Sequence, residues 1–447
     1  MSAEDIGAVA EKLVRKACGL GADESEAWLT ESTQLSARVR FGQVETLTEA
    51  TTRALSFRIL VGTRTARGSS SDLSWDTLES LTRSAIERAR LASEDPYAGL
   101  PEDPLPVPPV EGLALYDPAL ERIGPREAID CARETERIGL ALDPRVKNSS
   151  GATFRVNRGV VKGANSKGFQ GSYRASGASL TLELLGRSDS DAGQVTDFWY
   201  TTARSWDRLE SPESVARKTV ARVRRQLGAR KVETQEVPVV FEPLMAAELL
   251  SDLFGAVCGE AVYLKRSFLQ DARGQQVASE RVTVVDDGLL RGGLGTRPFD
   301  REGVASRRTV VIRKGFLETF LCGSYSARKL GLPPTGNGAG HGEVPSNFYL
   351  EQGDTSAEAI VKSVERGLYV TRLLGQGVNL VTGDYSRGAF GLWLERGEFA
   401  HPVHEITISG NLRQMLAGVE LVGNDLDLRD QFAAPTIKIA SLMVAGT

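Results

Sequence analysis

Five of the nine residues from Pro101 to Pro109 are proline, and this cluster restricts the fold more than any other feature of the 447-residue chain. Proline fixes its own φ angle, lacks an N–H donor and disfavours helix in the residue before it. The cluster therefore predicts a stiff, extended linker and a domain boundary. We place a first region at 1–100, the linker at 101–112, a middle region at 113–230 and a last region at 231–447.

The regions on either side of the linker follow the same plan of helix, strands and helix. In the first region, apolar residues at helical spacing predict helices at about 3–18 and 76–92, with strands between them. In the middle region, predicted helices at 125–142 and 212–227 enclose three strand-like segments. The recurrence lies in the pattern and not in sequence identity, so it is modest evidence for duplication.

The pattern changes at about Val237. A buried strand and an apolar helix from Leu244 to Val257 come first, followed by many short strands separated by glycine. Such a run of strands predicts a β-rich domain of roughly 200 residues. The predicted fold class is therefore α+β, with N-terminal and middle regions of helices and antiparallel sheet and a β-rich C-terminal domain.

Composition excludes several classes of protein. The net charge of −4 comes from interspersed acidic and basic residues. The densest basic run, Arg217–Lys231, is expected to form the solvent-exposed face of an amphipathic helix. We therefore expect no nucleic-acid partner. The most apolar stretch, Pro238–Leu264, contains four acidic residues, which argues against a membrane span, and the first residues do not resemble a signal peptide.

The four cysteines lie far apart in sequence, which is typical of thiols in a reducing compartment, so we expect a cytoplasmic protein. The chain contains no Gly-x-Ser-x-Gly motif and no cysteine close in sequence to a histidine. A hydrolase with a serine or cysteine nucleophile would therefore lack its usual parts.

The chain has only three histidines, and two of them, His401 and His404, flank Pro402 and precede Glu405. In zinc proteases, a His-Glu-x-x-His helix places both histidines on one face. Here the sequence alternates like a strand, in which residues three apart point to opposite faces. We therefore expect the two histidines to diverge. A stand-alone metal hydrolase would need His341 to join both of them.

A glycine-rich loop has glycine at positions 336, 338, 340 and 342. Neither the Lys-Ser/Thr pair of a phosphate-binding loop nor the helix of a dinucleotide fold follows it. Two prolines precede the loop and an extended segment, SNFYLEQ, follows it, which indicates a flexible loop over a groove. Two interpretations stay open, contact with a ligand or peptide and a mobile surface loop.

Four segments of the C-terminal half resemble the TldD/PmbA family, whose older label is modulator of DNA gyrase. They read GSYSARKLGLPPTGN, NLVTGDYSRGAFGLWLERGE, PVHEITISGNLRQML and GNDLDLRDQFAAPTIKIASLMVAG, in that order. The resemblance extends to the first helix–strand unit and to the proline-rich boundary. It implies a heterodimer of a TldD-type and a PmbA-type (TldE) subunit that encloses a proteolytic chamber for small or unfolded peptides.

In the TldD-type subunit of this family, zinc is held by His-Glu-x-x-x-His on a helix and by a C-terminal cysteine. Where that subunit has LLHEAVGH, this chain has LLSDLFGA, with Ser251 and Ala256 at the two histidines and Asp252 at the glutamate. The last cysteine is Cys322. The resemblance therefore implies a PmbA-type subunit with no catalytic residue and no metal of its own, and it places the zinc in a TldD-type partner. Whether the chain alone is an enzyme stays open.

The resemblance also suggests residues for a peptide groove, because an Asn-aromatic segment lies near the substrate groove in the family. Six residues are candidates for holding an extended peptide by strand addition: Gly336, Asn337, Gly338, His341, Asn347 and Tyr349. An interface with the partner subunit is the other interpretation of the same residues. A homodimer of the isolated chain is a further expectation, and the alternative function is a regulatory binding protein that acts on gyrase or on a toxin–antitoxin system.

Overall fold

The computed structural model of the chain describes residues 3–102, 106–187, 194–375 and 377–446. The first and middle regions share one antiparallel sheet of six strands: β1 (Glu24–Arg40), β2 (Gln43–Val61), β3 (Arg64–Ser70), β4 (Val146–Asn165), β5 (Gln170–Arg187) and β6 (Gln194–Ala203). The strand order is β3-β2-β1-β4-β5-β6. Because β1 pairs with β4, the two regions that flank the proline cluster are halves of one continuous sheet.

Four helices cover one face of this sheet: α1 (Ala3–Gly19), α2 (Trp75–Leu91), α3 (Pro125–Leu142) and α4 (Pro212–Arg225). The first two pack on a core that includes Leu29 and Phe57. The other two pack on a second core that includes Leu35 and Phe154. Leu29 and Leu35 lie on the same side of β1, so the alternation of one long strand builds both cores.

The linker is described only in part, because 103–105 lie outside the described residues. Residues 106–109 have no regular structure, and a 3-10 turn follows at Val110–Leu113. Two more 3-10 turns occur at Pro118–Arg122 and Trp206–Arg208.

The C-terminal region contains eleven strands in the part that the structure describes: β7 (Gln235–Phe241), β8 (Val284–Asp287), β9 (Arg308–Arg313), β10 (Phe316–Leu317), β11 (Phe348–Leu350), β12 (Arg366–Leu374), β13 (Asp384–Glu395), β14 (Glu398–Asn411), β15 (Val419–Val422), β16 (Phe432–Ala433) and β17 (Ile437–Ala445). They form two sheets, ordered β10-β9-β8-β11-β16 and β14-β13-β12-β7-β17-β15. An additional pairing of β14 with β17 gives the second sheet a barrel-like closure. The predicted α+β class with a β-rich C-terminal domain is confirmed.

Five helices accompany these strands: α5 (Pro243–Val257), α6 (Gly259–Tyr263), α7 (Ser324–Leu330), α8 (Ala357–Lys362) and α9 (Leu412–Ala417). Helix α5 contacts β11 and β16 of one sheet and β7 and β12 of the other. Its apolar residues belong to the largest core of the molecule. Ser251, Asp252 and Ala256 therefore lie on the central helix of this domain.

Several groups of side chains join the first sheet to the C-terminal domain, and two of these groups are buried. Trp28 and Phe169 pack against Phe299, with ring centroids 6.0 and 5.0 Å from that ring. The second group centres on Arg222 of α4, which is buried and bonds to Asp197 and to Glu242. The prediction that the basic residues of this helix face solvent is wrong for Arg222, because hydrogen-bond acceptors from three segments of the chain surround it.

Within the part of the chain that the structure describes, no helix combines the length and apolar character that a membrane crossing requires.

Candidate functional site

Helix α5 begins at Pro243, whose fixed φ suits the first helical position. Its apolar side chains, including Leu249 and Leu253, are buried in the core between the two C-terminal sheets. Of the three positions singled out by the sequence, Ser251 is exposed, Asp252 is partly buried and Ala256 is fully buried. Hydroxyl and methyl side chains therefore occupy the places where a zinc-binding helix needs imidazoles.

Asp252 lies in an unusual electrostatic environment. Burial raises the pKa of Asp252 to about 6, while Arg387 opposes the shift and Glu248 adds to it. Arg387 of β13 is committed elsewhere, since its Nη2 lies 2.7 Å from Oε2 of Glu248. Oδ2 of Asp252 is buried without a hydrogen-bond partner among the described residues. The positive charge beside Asp252 therefore comes from Arg387, whose guanidinium is already paired with Glu248.

The donor set does not fit a zinc site of the expected kind. Zinc in proteases is held by three protein ligands drawn from His, Asp, Glu or Cys. On α5 itself only Asp252 and Glu248 have such groups, and Glu248 is paired with Arg387. More broadly, no group of three or more His, Cys, Asp or Glu side chains within the described ranges is arranged to hold a metal ion.

The three histidines do not form a site. His401 and His404 lie in β14, where a register shift leaves His404 and Glu405 without direct partners on β13 and Glu405 adopts a φ of +50°. The Nδ1 atom of His401 lies 2.9 Å from Nη2 of Arg230, and burial followed by Arg230 lowers the pKa of His401. His341 lies in the glycine-rich loop, 86% exposed, with its Nε2 3.9 Å from Oε1 of Glu260.

The glycine-rich loop is anchored by buried amides. Asn337 is fully buried and donates from Nδ2 to Oδ2 of Asp286 at 2.7 Å and to the carbonyl of Val344 at 3.1 Å. Asn347 is also buried; it donates to the Asp287 carbonyl and accepts from the Gly295 N–H at 2.9 Å. These two side chains hold the loop in place, and their polar atoms are occupied by protein partners.

Backbone geometry explains the glycines of the loop. Gly336, Gly340 and Gly342 have φ angles of +81°, +79° and +69°, a conformation that glycine adopts without steric cost. A Cβ on Gly338 would lie 2.6 Å from the Glu302 carboxyl carbon. The loop therefore requires glycine to pass close to buried carboxylates.

Those carboxylates were not identified from the sequence. Burial, followed by the neighbouring Glu302, raises the pKa of Asp300 to about 7, although Asp300 accepts from three backbone N–H groups. One of these donors is Gly338, at 2.8 Å. Glu343 accepts from the backbone N–H of Glu260 and from Ser326, and burial raises its pKa as well. Scattered single acids give no motif, so only the fold brings them under one loop.

Tyr349 lies in β11 and is half-buried. Strand β11 pairs with β8 on one side and with β16 on the other. It therefore has no free edge to which a peptide could add as a strand.

Two cavities meet at the tip of the loop and share four residues, Glu260, His341, Gly342 and Glu343. The larger, of about 1250 Å³, lies between the end of α5, helix α6 and the segment 377–386. The smaller, of about 610 Å³, is bounded on its far side by Arg58, Arg67 and Arg88 of the first region. Arg67 also donates to the Gly340 carbonyl, so the first sheet takes part in positioning the loop.

Comparison with known proteins places the chain in one family along most of its length. Profiles of three domains match it: PmbA/TldA metallopeptidase domain 1 at 26–89, the central domain at 118–227 and the C-terminal domain at 234–446. Metalloprotease PmbA of Escherichia coli is 35% identical over 95% of this chain and 92% of its own length.

Two solved structures are similar in fold. A Bacteroides thetaiotaomicron protein provisionally assigned as a modulator of DNA gyrase superposes with a TM-score of 0.92 at 26% identity and covers 100% of both chains. TldE of Thermococcus kodakarensis superposes with a TM-score of 0.87 at 23% identity, over 98% of this chain and 100% of its own. On the strength of the domain profiles and the 35% identical relative, the chain belongs to the PmbA/TldD metallopeptidase family.

Proposed function

We propose that this chain is the non-catalytic, TldE-type subunit of a two-subunit zinc metalloprotease that processes or degrades small or unfolded peptides. The observation that carries the proposal is the chemistry of α5, where Ser251 and Ala256 occupy the positions of the zinc histidines expected in a TldD-type subunit. Neither side chain is a zinc ligand of that kind. The zinc and the general acid–base chemistry would then come from a TldD-type partner in the cytoplasm.

On this proposal the chain supplies walls of the peptide chamber. The two cavities at the loop tip support this role, because the exposed His341 lines both of them and so has open space on two sides. The loop would be held in place by Gly336, Asn337, Gly338 and Asn347. The side-chain amides of the two asparagines are buried and hydrogen-bonded to protein groups, so they are not free to bind a peptide. His341 is the candidate for direct contact with a peptide.

The charge of the larger cavity favours one type of peptide. Glu260, Glu343 and Asp384 line it, against a single guanidinium from Arg266. A wall with excess negative charge attracts cationic side chains and repels anionic ones, and the effect weakens as salt increases. We therefore expect the assembled protease to prefer peptides with Lys or Arg over peptides with Asp or Glu.

Metal analysis and peptidase assays test the proposal. The purified chain should contain no stoichiometric zinc and should cleave no unfolded peptide, whereas addition of a TldD-type subunit should give peptidase activity that a chelator abolishes. The variant Ser251→Ala should keep this activity in the mixture, because Ser251 is assigned no chemical step. The variant His341→Ala should raise KM and leave kcat unchanged, and His401→Ala, remote from the loop, is its matched control.

Two results would contradict the proposal. One is a zinc content of one per chain together with chelator-sensitive activity in the absence of any partner. The other is recovery of gyrase, but of no TldD-type chain, on purification from native cells, combined with no activity in the mixture. That second result would favour the regulatory binding protein, the function that the gyrase-modulator name of a structural neighbour suggests.

A further inference from the structure

Three arginines line the far side of the smaller cavity at the loop tip: Arg58 of β2, Arg67 of β3 and Arg88 of α2. Arg58 and Arg67 are directly opposite each other in the antiparallel pair of β2 and β3, so their side chains lie on the same face of the sheet. Nη2 of Arg88 donates to the Arg67 carbonyl at 2.9 Å, which places its guanidinium beside the same strand. Positive charge is therefore concentrated at one end of the cavity.

The carboxylates of the protein offset only part of this charge. Arg58 pairs with Glu26, whose Oε1 lies 2.7 Å from Nε of the arginine. Arg67 and Arg88 donate instead to backbone carbonyls, and neither forms an ion pair with a residue that the structure describes. Like charges directly opposite each other in a sheet are destabilising, so a further anion in the cavity would stabilise this arrangement.

Arg58 also has a buried donor without an acceptor. The residue is 5% exposed, and its Nη2 has no hydrogen-bond partner within the described ranges. Buried polar groups are nearly always hydrogen-bonded in proteins, because an unpartnered one keeps the full cost of its desolvation. Burial, followed by the charge of Arg58, lowers the pKa of Arg67 as well. Since both arginines line the cavity, an anionic ligand there would supply the missing acceptor and the missing charge.

The other walls of the cavity limit the charge of such a ligand. They contain four carboxylates, those of Asp95, Glu260, Glu302 and Glu343. Protein N–H and O–H groups donate to Asp95, Glu302 and Glu343, which holds these side chains on their own walls. The four carboxylates would repel a ligand with several negative charges. A single carboxylate suits the site, because a guanidinium can donate two parallel N–H bonds to it.

We propose that these three arginines bind the C-terminal carboxylate of a peptide that extends across both cavities, an inference that rests on the proposed function. Arg67 donates to the carbonyl of Gly340, the residue directly before His341, so the last residue of the peptide would lie between His341 and the arginines. The residues before it would occupy the larger cavity, whose negative wall favours cationic side chains. The ligand is thus a peptide with a basic segment and a free carboxyl end.

Two lysine-containing peptides that differ only at the C-terminus test the inference, one with a free carboxylate and the other with a carboxamide. In a mixture with a TldD-type subunit, KM for the free acid should be about tenfold lower than KM for the amide, at equal kcat, because a charge-assisted hydrogen bond is about twice as strong as a neutral one. Fluorescence anisotropy of the same peptides, labelled at the N-terminus, should give the same ratio of Kd for the purified chain.

Substitution of the arginines tests where the carboxylate binds. Arg67→Gln removes the charge but keeps an N–H donor for the Gly340 carbonyl, and it should abolish the preference for the free acid by raising only the KM and Kd of that peptide. Arg88→Gln should weaken the preference in the same direction. Arg64→Gln is the matched control on the same strand, because Arg64 is three residues away, points to the opposite face and pairs with Glu94. It should keep the full preference.

A third peptide separates the chain end from a side chain as the source of the carboxylate. It has Glu as its last residue and an amidated C-terminus, and it should bind no more tightly than the amidated lysine peptide. Tight binding of this peptide that Arg67→Gln abolishes would assign the site to acidic side chains and overturn the assignment to the C-terminus.

Two further results would overturn the inference and leave the proposed function intact. They are equal KM and Kd values for the free acid and the amide in an active mixture, and a preference for the acid that survives in Arg67→Gln. The opposite case is also distinguishable. An inactive mixture, together with binding of the free acid by the purified chain that depends on Arg67, would contradict the proposed function and support the carboxylate site.

Discussion

At the residue scale, Asp252 gives the clearest pH prediction. Its pKa of about 6 in the folded chain lies above the unfolded value of 3.8, so the folded state binds the proton more tightly. This contribution to stability is complete below the unfolded pKa and is lost as the pH rises through about 6. We expect Asp252→Asn to stabilise the chain by about 1–2 kcal/mol near pH 8 and by almost nothing near pH 4, after allowance for partial exposure.

Urea unfolding of the two proteins at both pH values measures the difference. The control Asp271→Asn changes an exposed aspartate of the same domain and should show no such pH-dependent gain. A loss of stability near pH 8 in Asp252→Asn would show that the charged carboxylate is held favourably by Arg387.

The second residue-scale prediction concerns a buried ion pair in the first sheet. Glu26 and Arg58 are opposite each other on β1 and β2, with side chains 3% and 6% exposed and Nε 2.7 Å from Oε1. Burial raises the pKa of Glu26, against the opposing effect of Arg58. Removal of one partner leaves the other charge uncompensated, so Arg58→Met should cost about 3–5 kcal/mol.

A double-mutant cycle measures the interaction free energy between Glu26 and Arg58 apart from their other contacts. The double variant Glu26→Gln with Arg58→Met should recover much of the loss, because no buried charge is then left alone. Losses in the double variant equal to the sum of the two single variants would show that the two side chains do not interact.

The identity of single residues was the part of the site that could best be predicted from the sequence. The substitutions at Ser251 and Ala256 can be identified from the motif alone, because a missing imidazole needs no structure to recognise. The burial of Asn337 and Asn347 could not be predicted, since an amide in a polar loop looks the same whether it faces a ligand or the protein interior. The carboxylates under the loop, such as Asp300 and Glu302, come together only through tertiary contacts.

At the element scale, the sequence predicted the kind of each long element better than its extent. All five long helices occur within a few residues of their predicted positions, because apolar spacing is unambiguous over four turns. Strand β1 is continuous over 17 residues, since polar residues in its middle do not interrupt a strand with one open face. The short helices α7, α8 and α9 were missed because six or seven residues are too few to show a period.

One element-scale prediction concerns the strand surface that receives Trp28. A Cβ on Gly163 of β4 would lie 2.2 Å from the Trp28 ring, and that ring packs against Phe299 of the C-terminal domain. Gly163→Ala must therefore displace the indole, which should destabilise the chain by about 1–3 kcal/mol. Thermal unfolding measures the effect. Gly177→Ala on the neighbouring strand β5 is the matched control, because its Cβ would meet only the Ala203 carbonyl at 3.6 Å.

At the scale of the whole molecule, the proline cluster separates regions in sequence that the sheet joins in space. The pairing of β1 with β4 could not be predicted, because strands far apart in sequence give no local signal of their partner. The first sheet is in turn held to the C-terminal domain through Arg222, which bonds to Asp197 of β6, to Glu242 before α5 and to the Thr371 carbonyl of β12. A single side chain of α4 thus links both parts of the molecule.

Arg222→Met should therefore weaken the junction more than it weakens either part. It leaves Asp197 and Glu242 buried with fewer hydrogen-bond donors, which should cost about 3–5 kcal/mol of stability. Lysine at this position should not restore the stability, because one ammonium group cannot replace the planar guanidinium that reaches three acceptors. Calorimetry should then resolve two transitions in place of one. Arg224→Met, two residues away and paired with Asp143 from an exposed position, should lose less than about 1 kcal/mol and keep a single transition. A single transition in Arg222→Met, lowered no further than in Arg224→Met, would mean that other contacts hold the two parts together, such as the packing of Phe299 and the bonds from Arg328 to the Tyr97 and Gly99 carbonyls.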